Sequence, residues 1–297
     1  MRVLIGGASG LIGTELSRQL EAAGHTVLRL VRREPHSADE YGWDPAALSI
    51  DAARLDQVDA IVNLSGASLA RLPWTRGYRR QILESRVQAT RTLTDALRMN
   101  ASPPTVLLNA SAVGIYGDRP GEKLTELSGP GSGFLSTVVA AWEREAALAP
   151  EQTRVVTFRT GLVLARGGAL QPLLPLTRLG MAGPLGTGQQ HWPWISLHDE
   201  AAAIVHLLRS QLEGPVNLVG PAPATASKVI GALAHALHRP FRLAVPEKVI
   251  TLALQDASQL LLADQCVSSA KLQDDGFEFS HRTPAAAVDW MLRQSKP

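Results

Sequence analysis

Gly6-Gly7-Ala8-Ser9-Gly10-Leu11-Ile12-Gly13 follows the apolar run Arg2 to Ile5 and opens a stretch, Leu11 to Ala23, whose apolar residues recur at helical spacing. Thr26 to Val31 then returns to β-rich composition, so the segment reads as strand, glycine turn, helix, strand. Where a strand turns directly into a helix, the first amides of the helix have no partner and its dipole favours negative charge. In the spacing Gly7-x-x-Gly10-x-x-Gly13 each glycine has its own role, with Gly7 for the tight turn, Gly10 for the close approach of a pyrophosphate and Gly13 for the close packing of helix on strand. No lysine follows Gly13, which disfavours a Walker-type phosphate loop and leaves a dinucleotide as the better ligand.

Outward from this unit the alternation continues. Asp59 to Leu64 reads as a buried strand, Arg79 to Met99 as a long helix, Thr105 to Asn109 as a strand, Phe134 to Leu148 as a helix and Arg154 to Arg159 as a strand. Strands separated by helices imply parallel pairing through right-handed crossovers, hence an α/β Rossmann fold with a doubly wound parallel sheet. Beyond Gly161 the pattern loosens, with Gly180, Gly183, Gly186 and Gly188 crowded around Pro184, as a substrate-side loop would be. Helices are expected at Glu200 to Ser210, Ser227 to Leu237, Lys248 to Leu262 and Thr283 to Arg293, with a strand at Pro215 to Val219. The expected organisation is a nucleotide-binding domain over residues 1–220, with substrate-side loops from about 161, and a small helical C-terminal domain over 246–297, joined by 221–245.

Composition narrows the classes. The chain has 297 residues, 45% hydrophobic and 19% charged, enough for one large core and a small appendage. A net charge of +2 supplies no strong field for nucleic acid or anionic lipid. Cys266 is the only cysteine, so neither an intrachain disulfide nor a multi-cysteine zinc site can be drawn, and a reducing compartment fits. The opening apolar run is broken by glycines too early for a signal peptide, and no segment approaches the roughly 20 apolar residues of a membrane span. The expectation is a cytoplasmic protein, monomer or homodimer, without metal, nucleic acid or membrane.

The choice of dinucleotide turns on the end of the second strand, where an acid binds the ribose 2'-hydroxyl and an arginine accepts a 2'-phosphate. The chain reads Val31-Arg32-Arg33-Glu34 there. Arg32 stands nearest the expected position and Arg33 beside it, which favours NADP(H) over NAD(H), although a solvated strand end is the plain alternative for the pair. Leu64, Ser65 and Gly66 follow the next buried strand at the carboxyl edge of the sheet, where open α/β sheets bind ligands, so their backbone is expected to border the cofactor.

These segments, with Glu84-Ser85-Arg86, Asn109 to Gly117 and Arg159 to Leu164, occur in an order that resembles an atypical extended short-chain dehydrogenase/reductase of the NAD-dependent epimerase/dehydratase-like group. Trp74-Thr75, Gly183 to Gly188 and Trp194-Ile195 resemble more closely the epimerase family proteins that carry a short extra C-terminal domain. The resemblance implies NADP contacts at Gly7, Gly10, Leu11, Ile12, Arg32, Leu64, Ser65, Arg86, Gly161 and Leu162, and at Gln81. Read from the residues alone, Arg86 could equally pair with Glu84 or Asp95.

Members of this group that act on sugars use a serine and a Tyr-x-x-x-Lys pair on the helix after the corresponding strand. Here that helix begins Phe134-Leu135-Ser136-Thr137-Val138, without phenol or ammonium. Ser111 and Tyr116 remain as candidate catalytic residues; the plain alternatives are a serine bonded to nearby backbone and a tyrosine packed in the core. Trp192-Pro193-Trp194 reads as packing rather than a pocket wall, and Asp199 as a helix cap or first-turn acid. Two functions follow. One is an NADP(H)-binding epimerase-like oxidoreductase acting on a small carbonyl or hydroxyl compound, a nucleotide sugar among the options. The other is a non-catalytic NADP(H)-binding regulatory or sensor protein, because some relatives are called cell-division inhibitors.

Overall fold

The computed structural model describes residues 1–168 and 170–294, so residues 295–297 of the expected C-terminal domain lie outside the described part. The chain runs β1 (Arg2–Gly6), α1 (Leu11–Ala22), β2 (Thr26–Val31), β3 (Glu40–Asp44), β4 (Ser49–Ile50), β5 (Ala60–Asn63), α2 (Arg76–Met99), β6 (Val106–Ala112), β7 (Lys123–Leu124), α3 (Phe134–Ala146) and β8 (Arg154–Thr160). It continues through β9 (Leu162–Leu164), α4 (Leu173–Arg178), β10 (Trp194–Ser196), α5 (Leu197–Arg209), β11 (Gly214–Leu218), α6 (Ala226–Ala236), α7 (Glu247–Leu254), α8 (Gln259–Leu262), β12 (Cys266–Val267), α9 (Ala270–Asp274) and α10 (Pro284–Arg293).

Eight strands form one sheet in the order β11-β8-β6-β5-β1-β2-β3-β4, parallel except for the β3–β4 pair at the edge. Strand direction of travel reverses between β1 and β5, which places the topological switch point beside the glycine turn. Side chains alternate between two cores: Val3 and Ile5 of β1, Ala60 and Val62 of β5 and Leu108 of β6 join one, while Leu4, Ile61 and Leu107 join the other. Each of these side chains is fully buried. A strand apolar on both faces must be covered on both, and α1 packs on α5 over one face while α2 packs on α3 over the other.

Two departures from the expected elements have local causes. The strand β3 was not expected; Tyr41 and Trp43 alternate with Gly42 and bury against the same core as Leu4. The helix expected over Lys248 to Leu262 is divided into α7 and α8 by a tight turn, with Gln255 in the left-handed region at φ 49°. Periodicity cannot register such a break, because both halves keep their apolar spacing. Leu164, Trp192, Val229, Ile250 and Met291 share one core, so the smaller helical C-terminal region packs on the substrate-side region, as expected from the sequence.

Candidate functional site

A cavity of about 710 Å³ opens at the carboxyl ends of β1, β5, β6 and β8. Its near wall is the glycine turn: Gly7, Gly10, Leu11, Ile12 and Gly13 all line it. Gly7 has φ +81°, and a Cβ there would stand 3.0 Å from the Leu64 backbone, so the turn tolerates no side chain. A Cβ on Gly13 would collide with the Gly7 carbonyl, which is the close helix-on-strand packing anticipated from the spacing. The helix α1 starts at Gly10 with no side-chain cap and no acid in its first turn, leaving its first amides available to an anion.

The loop after β5 is held by a buried polar network. Asn63, the last residue of β5, and Asn109, in the middle of β6, are register partners; Asn63 donates to the Asn109 Oδ1 (2.7 Å) and to Thr90 Oγ1 (3.1 Å), and its own Oδ1 accepts from the Ser65 amide. Trp142 of α3 donates to the same Thr90 hydroxyl at 2.9 Å. Leu64 and Gly66 line the cavity, whereas Ser65 turns its hydroxyl inward, where it is buried without a partner. That orphaned hydroxyl is 2.9 Å from where a Cβ on Gly6 would lie, beside the end of β1.

Arg86 of α2 also lines the cavity. Its guanidinium donates to the Ile82 carbonyl at 2.9 Å and lies 5.2 Å above the Trp142 ring, and among the described residues it meets no carboxylate. Glu84, one of the two acids weighed for it, stands beside Arg80 instead. Burial pulls the Arg86 guanidinium down to about 10, the mark of a cation held away from water without a counter-charge. Glycine turn, uncapped helix and unpaired arginine together fit the phosphates of a dinucleotide.

The remaining residues singled out in the sequence divide. Gly161 and Leu162 line the cavity; a Cβ on Gly161 would strike the Pro193 carbonyl, to which the Leu162 amide donates at 2.6 Å. Arg33 is engaged by Glu40 through two bonds of 2.8 and 2.5 Å, and that pairing, with the His36 amide, holds the Glu40 carboxyl at about 2. Arg32 is exposed at the end of β2 and makes no hydrogen bond or ion pair with the described residues. Gln81 is exposed on α2 and does not line the cavity, while its neighbour Ile82 faces inward.

Tyr116 does not line the cavity. Its side chain is fully buried, and its hydroxyl donates to Asn217 Oδ1 (2.7 Å) and accepts from Arg159 (3.0 Å). Burial raises the phenol's pKa despite Arg159, the opposite of what an acid near neutrality needs. Ser111 does line the cavity, but its partner is not backbone: the hydroxyl donates to Glu143 Oε1 at 2.5 Å. Glu143 in turn receives two bonds from Arg159, at 2.8 and 2.9 Å, so Ser111, Glu143, Arg159, Tyr116 and Asn217 form one chain. Burial works against the Arg159 charge, but the Glu143 pairing outweighs it and raises its pKa.

Phe134, where the group's phenol would stand, packs edge-on to Trp74 beneath Arg79, and Val138, at the lysine position, lines the cavity. Trp192 and Pro193 form part of the wall, while Trp194 is buried with its indole bonded to the Ala222 carbonyl. Ser196 caps α5 and Asp199 is its buried first-turn acid, bound by the amides of Ser280 and His281. Asp118, Ser132, Gln259 and Gln265 complete the wall and had no signal in the sequence, since loop and C-terminal residues meet there only through the fold. Among the described residues no group of three His, Cys, Asp or Glu side chains is placed to hold a metal, and no helix is long and apolar enough to cross a membrane.

A switch-point cavity walled by a Gly7-x-x-Gly10-x-x-Gly13 turn defines a Rossmann-type protein with the capacity to bind NAD(P). Residues 3–220 match the NAD dependent epimerase/dehydratase family and residues 245–291 match a domain of unknown function, DUF1731; the chain belongs to that epimerase/dehydratase family. It is 39% identical to an epimerase family protein of Mycobacterium bovis over 97% of this chain and 96% of the relative. The human epimerase family protein crystallised with NADPH superimposes with a TM-score of 0.90 at 31% identity, covering 98% of this chain and 99% of that one. A nucleoside-diphosphate sugar epimerase of Corynebacterium glutamicum gives 0.80 at 32% identity, covering 98% of this chain and 58% of that chain.

Proposed function

We propose that the protein is an NADP(H)-dependent oxidoreductase of the epimerase type, acting on a small carbonyl or hydroxyl compound, with residues 1–220 carrying the cofactor and 246–297 helping to enclose the substrate. The observation that carries the reading is the unpaired Arg86 beside the glycine turn, because a cation left inside a cavity wall without a carboxylate has a ligand anion as its natural partner. Gly7, Gly10 and the first amides of α1 would hold the pyrophosphate, and the Leu64 and Gly66 backbone would border the neighbouring ribose, with Ser65 behind it. Arg32, the arginine not engaged by Glu40, would take the 2'-phosphate. A relative crystallised with NADPH supports the same preference.

When bound, the nicotinamide supplies hydride transfer. Ser111 is a hydroxyl lining the cavity at the end of β6, with the Glu143 carboxylate behind it as acceptor of its proton. A substrate hydroxyl would give its proton to Ser111 Oγ as Ser111 passes its own to Glu143 Oε1, leaving Glu143 neutral beside Arg159. The cavity extends past the glycine turn to the C-terminal residues Gln259 and Gln265, which supports turnover over a purely regulatory role. The absence of the Tyr-x-x-x-Lys pair, with Tyr116 locked in the interior, is what favours the sensor reading. Titration of the cofactor-stripped protein with NADPH and NADH, followed by nicotinamide fluorescence, tests the proposal: tight binding of NADPH supports it, and binding of neither dinucleotide defeats it.

A further inference from the structure

The far wall of the cavity is built by the C-terminal segment. Gln265 donates through Nε2 to the carbonyls of Val113 (3.1 Å) and Gly117 (2.7 Å), and the Asp264 amide donates to Asp118 Oδ1 at 2.8 Å. The Gln259 amide group would stand 3.0 Å from a Cβ on Gly133, which has none, so its side chain seats directly against the α3 approach. What this seal encloses is mostly hydrocarbon: Val113, Leu135, Val139, Leu260, Ala263 and Trp192.

The charge balance there is unusual for a group whose relatives include a nucleoside-diphosphate sugar epimerase. Among the described residues, the cavity wall holds one cation, Arg86, and it stands against Gly66 on the cofactor side, 3.1 Å from where a Cβ on that glycine would lie. At the far wall the one ionisable side chain is Asp118. The N-terminus of α3 contributes roughly half a positive elementary charge, which leaves the far end net negative beside a full carboxylate. Arg119, next in sequence to the lining Asp118, is engaged by Glu122, and Arg79, over the Phe134 ring at the start of α3, by Asp256. A pyrophosphate brought into such a site loses its hydration and gains no cation in return.

We infer that the substrate end takes a compact, uncharged hydroxyl or carbonyl compound with a hydrocarbon body, and that it rejects nucleoside-diphosphate sugars. The inference rests on the cofactor placement proposed above, since Arg86 is free for a substrate phosphate only if no dinucleotide uses it. One cavity of about 710 Å³ shared by a nicotinamide and a substrate also limits the latter to modest size.

The test uses the full chain saturated with NADPH, with benzaldehyde and cyclohexanone as uncharged probes and UDP-glucose as the nucleoside-diphosphate probe, read by the fluorescence of bound NADPH. The uncharged probes are expected to change it saturably, and Leu260→Trp, which fills the far end, to abolish that response while leaving the NADPH affinity within about twofold. UDP-glucose is expected to produce no change at millimolar concentration. Saturable binding of UDP-glucose, or no response to either uncharged probe, overturns the inference while leaving the cofactor reading intact. Failure of NADPH itself to bind removes both.

Discussion

The Arg86 guanidinium lies 5.2 Å above the Trp142 ring, a cation held by one backbone carbonyl and an aromatic face. Trp142 is fixed by Thr90, and Thr90 by Asn63 and Asn109 on two central strands, so the sheet itself aims the charge at the cavity. A positive group kept there at the expense of hydration is a binding feature rather than a stabilising one.

Arg86→Met therefore separates affinity from stability. The apo protein is expected to gain about 1–3 kcal/mol from loss of a desolvated, unpaired charge, and NADPH affinity to fall by roughly tenfold or more from loss of a charge-assisted contact. Denaturation and NADPH titration of the same variant check both signs. A variant that is less stable and binds normally would make Arg86 a structural residue.

Arg32→Ala is expected to weaken NADPH by roughly 10- to 100-fold and to leave NADH nearly unchanged, because only NADPH carries the 2'-phosphate. Arg33→Ala is expected to act differently: it releases Glu40, whose carboxyl then titrates closer to its ordinary range, with little effect on either dinucleotide. Equal weakening of both cofactors by Arg32→Ala would sink the assignment.

For Tyr116 the expected phenotype is structural. Tyr116→Phe leaves Asn217 Oδ1 and one Arg159 nitrogen short of a partner in a dry interior, at a cost of about 1–3 kcal/mol, with unchanged NADPH affinity. Chemical denaturation measures it. A variant of unaltered stability that has lost turnover would restore the tyrosine to the chemistry.

Glu200 gives the fold a pH dependence. It is fully buried on α5, takes one bond of 2.6 Å from Thr160, and keeps Oε2 without a partner, and burial pushes its pKa from 4.5 up to about 8. The folded state therefore holds a proton that the unfolded chain releases, so this contribution to stability is present in full below pH 4.5 and is lost as pH rises toward 8. The decline is about 1 kcal/mol per pH unit at its steepest. Glu200→Gln is expected to flatten the stability profile between those limits; an unchanged slope in urea melts at pH 5, 6, 7 and 8 would place its source elsewhere.

What could be read in the sequence was what local spacing encodes. Gly7, Gly10 and Gly13 announced the turn because a backbone that must approach both a ligand and a neighbouring strand admits only glycine at fixed intervals. The alternating cores of β1, β5 and β6 were legible as continuous apolar runs. Glu143 was not, since a glutamate on a helix looks solvated until Ser111 and Arg159 arrive from two other strands. Tyr116 misled for the same reason: proximity to Ser111 in sequence says nothing about which side of β6 its ring will occupy. Gln259 and Gln265 carry no chemistry by composition, and they matter because of where the chain delivers them.

Gln265 bonded to the Val113 and Gly117 carbonyls ties one of the later-synthesised parts of the polypeptide to a loop made much earlier. Until residues 259–265 dock, water has free access to the place where hydride would move. On the proposed reading, residues 259–265 are what separates a nucleotide cradle from a closed reaction chamber, while Leu272, Phe277 and Phe279 bind the same stretch of chain into the core beneath the central strands.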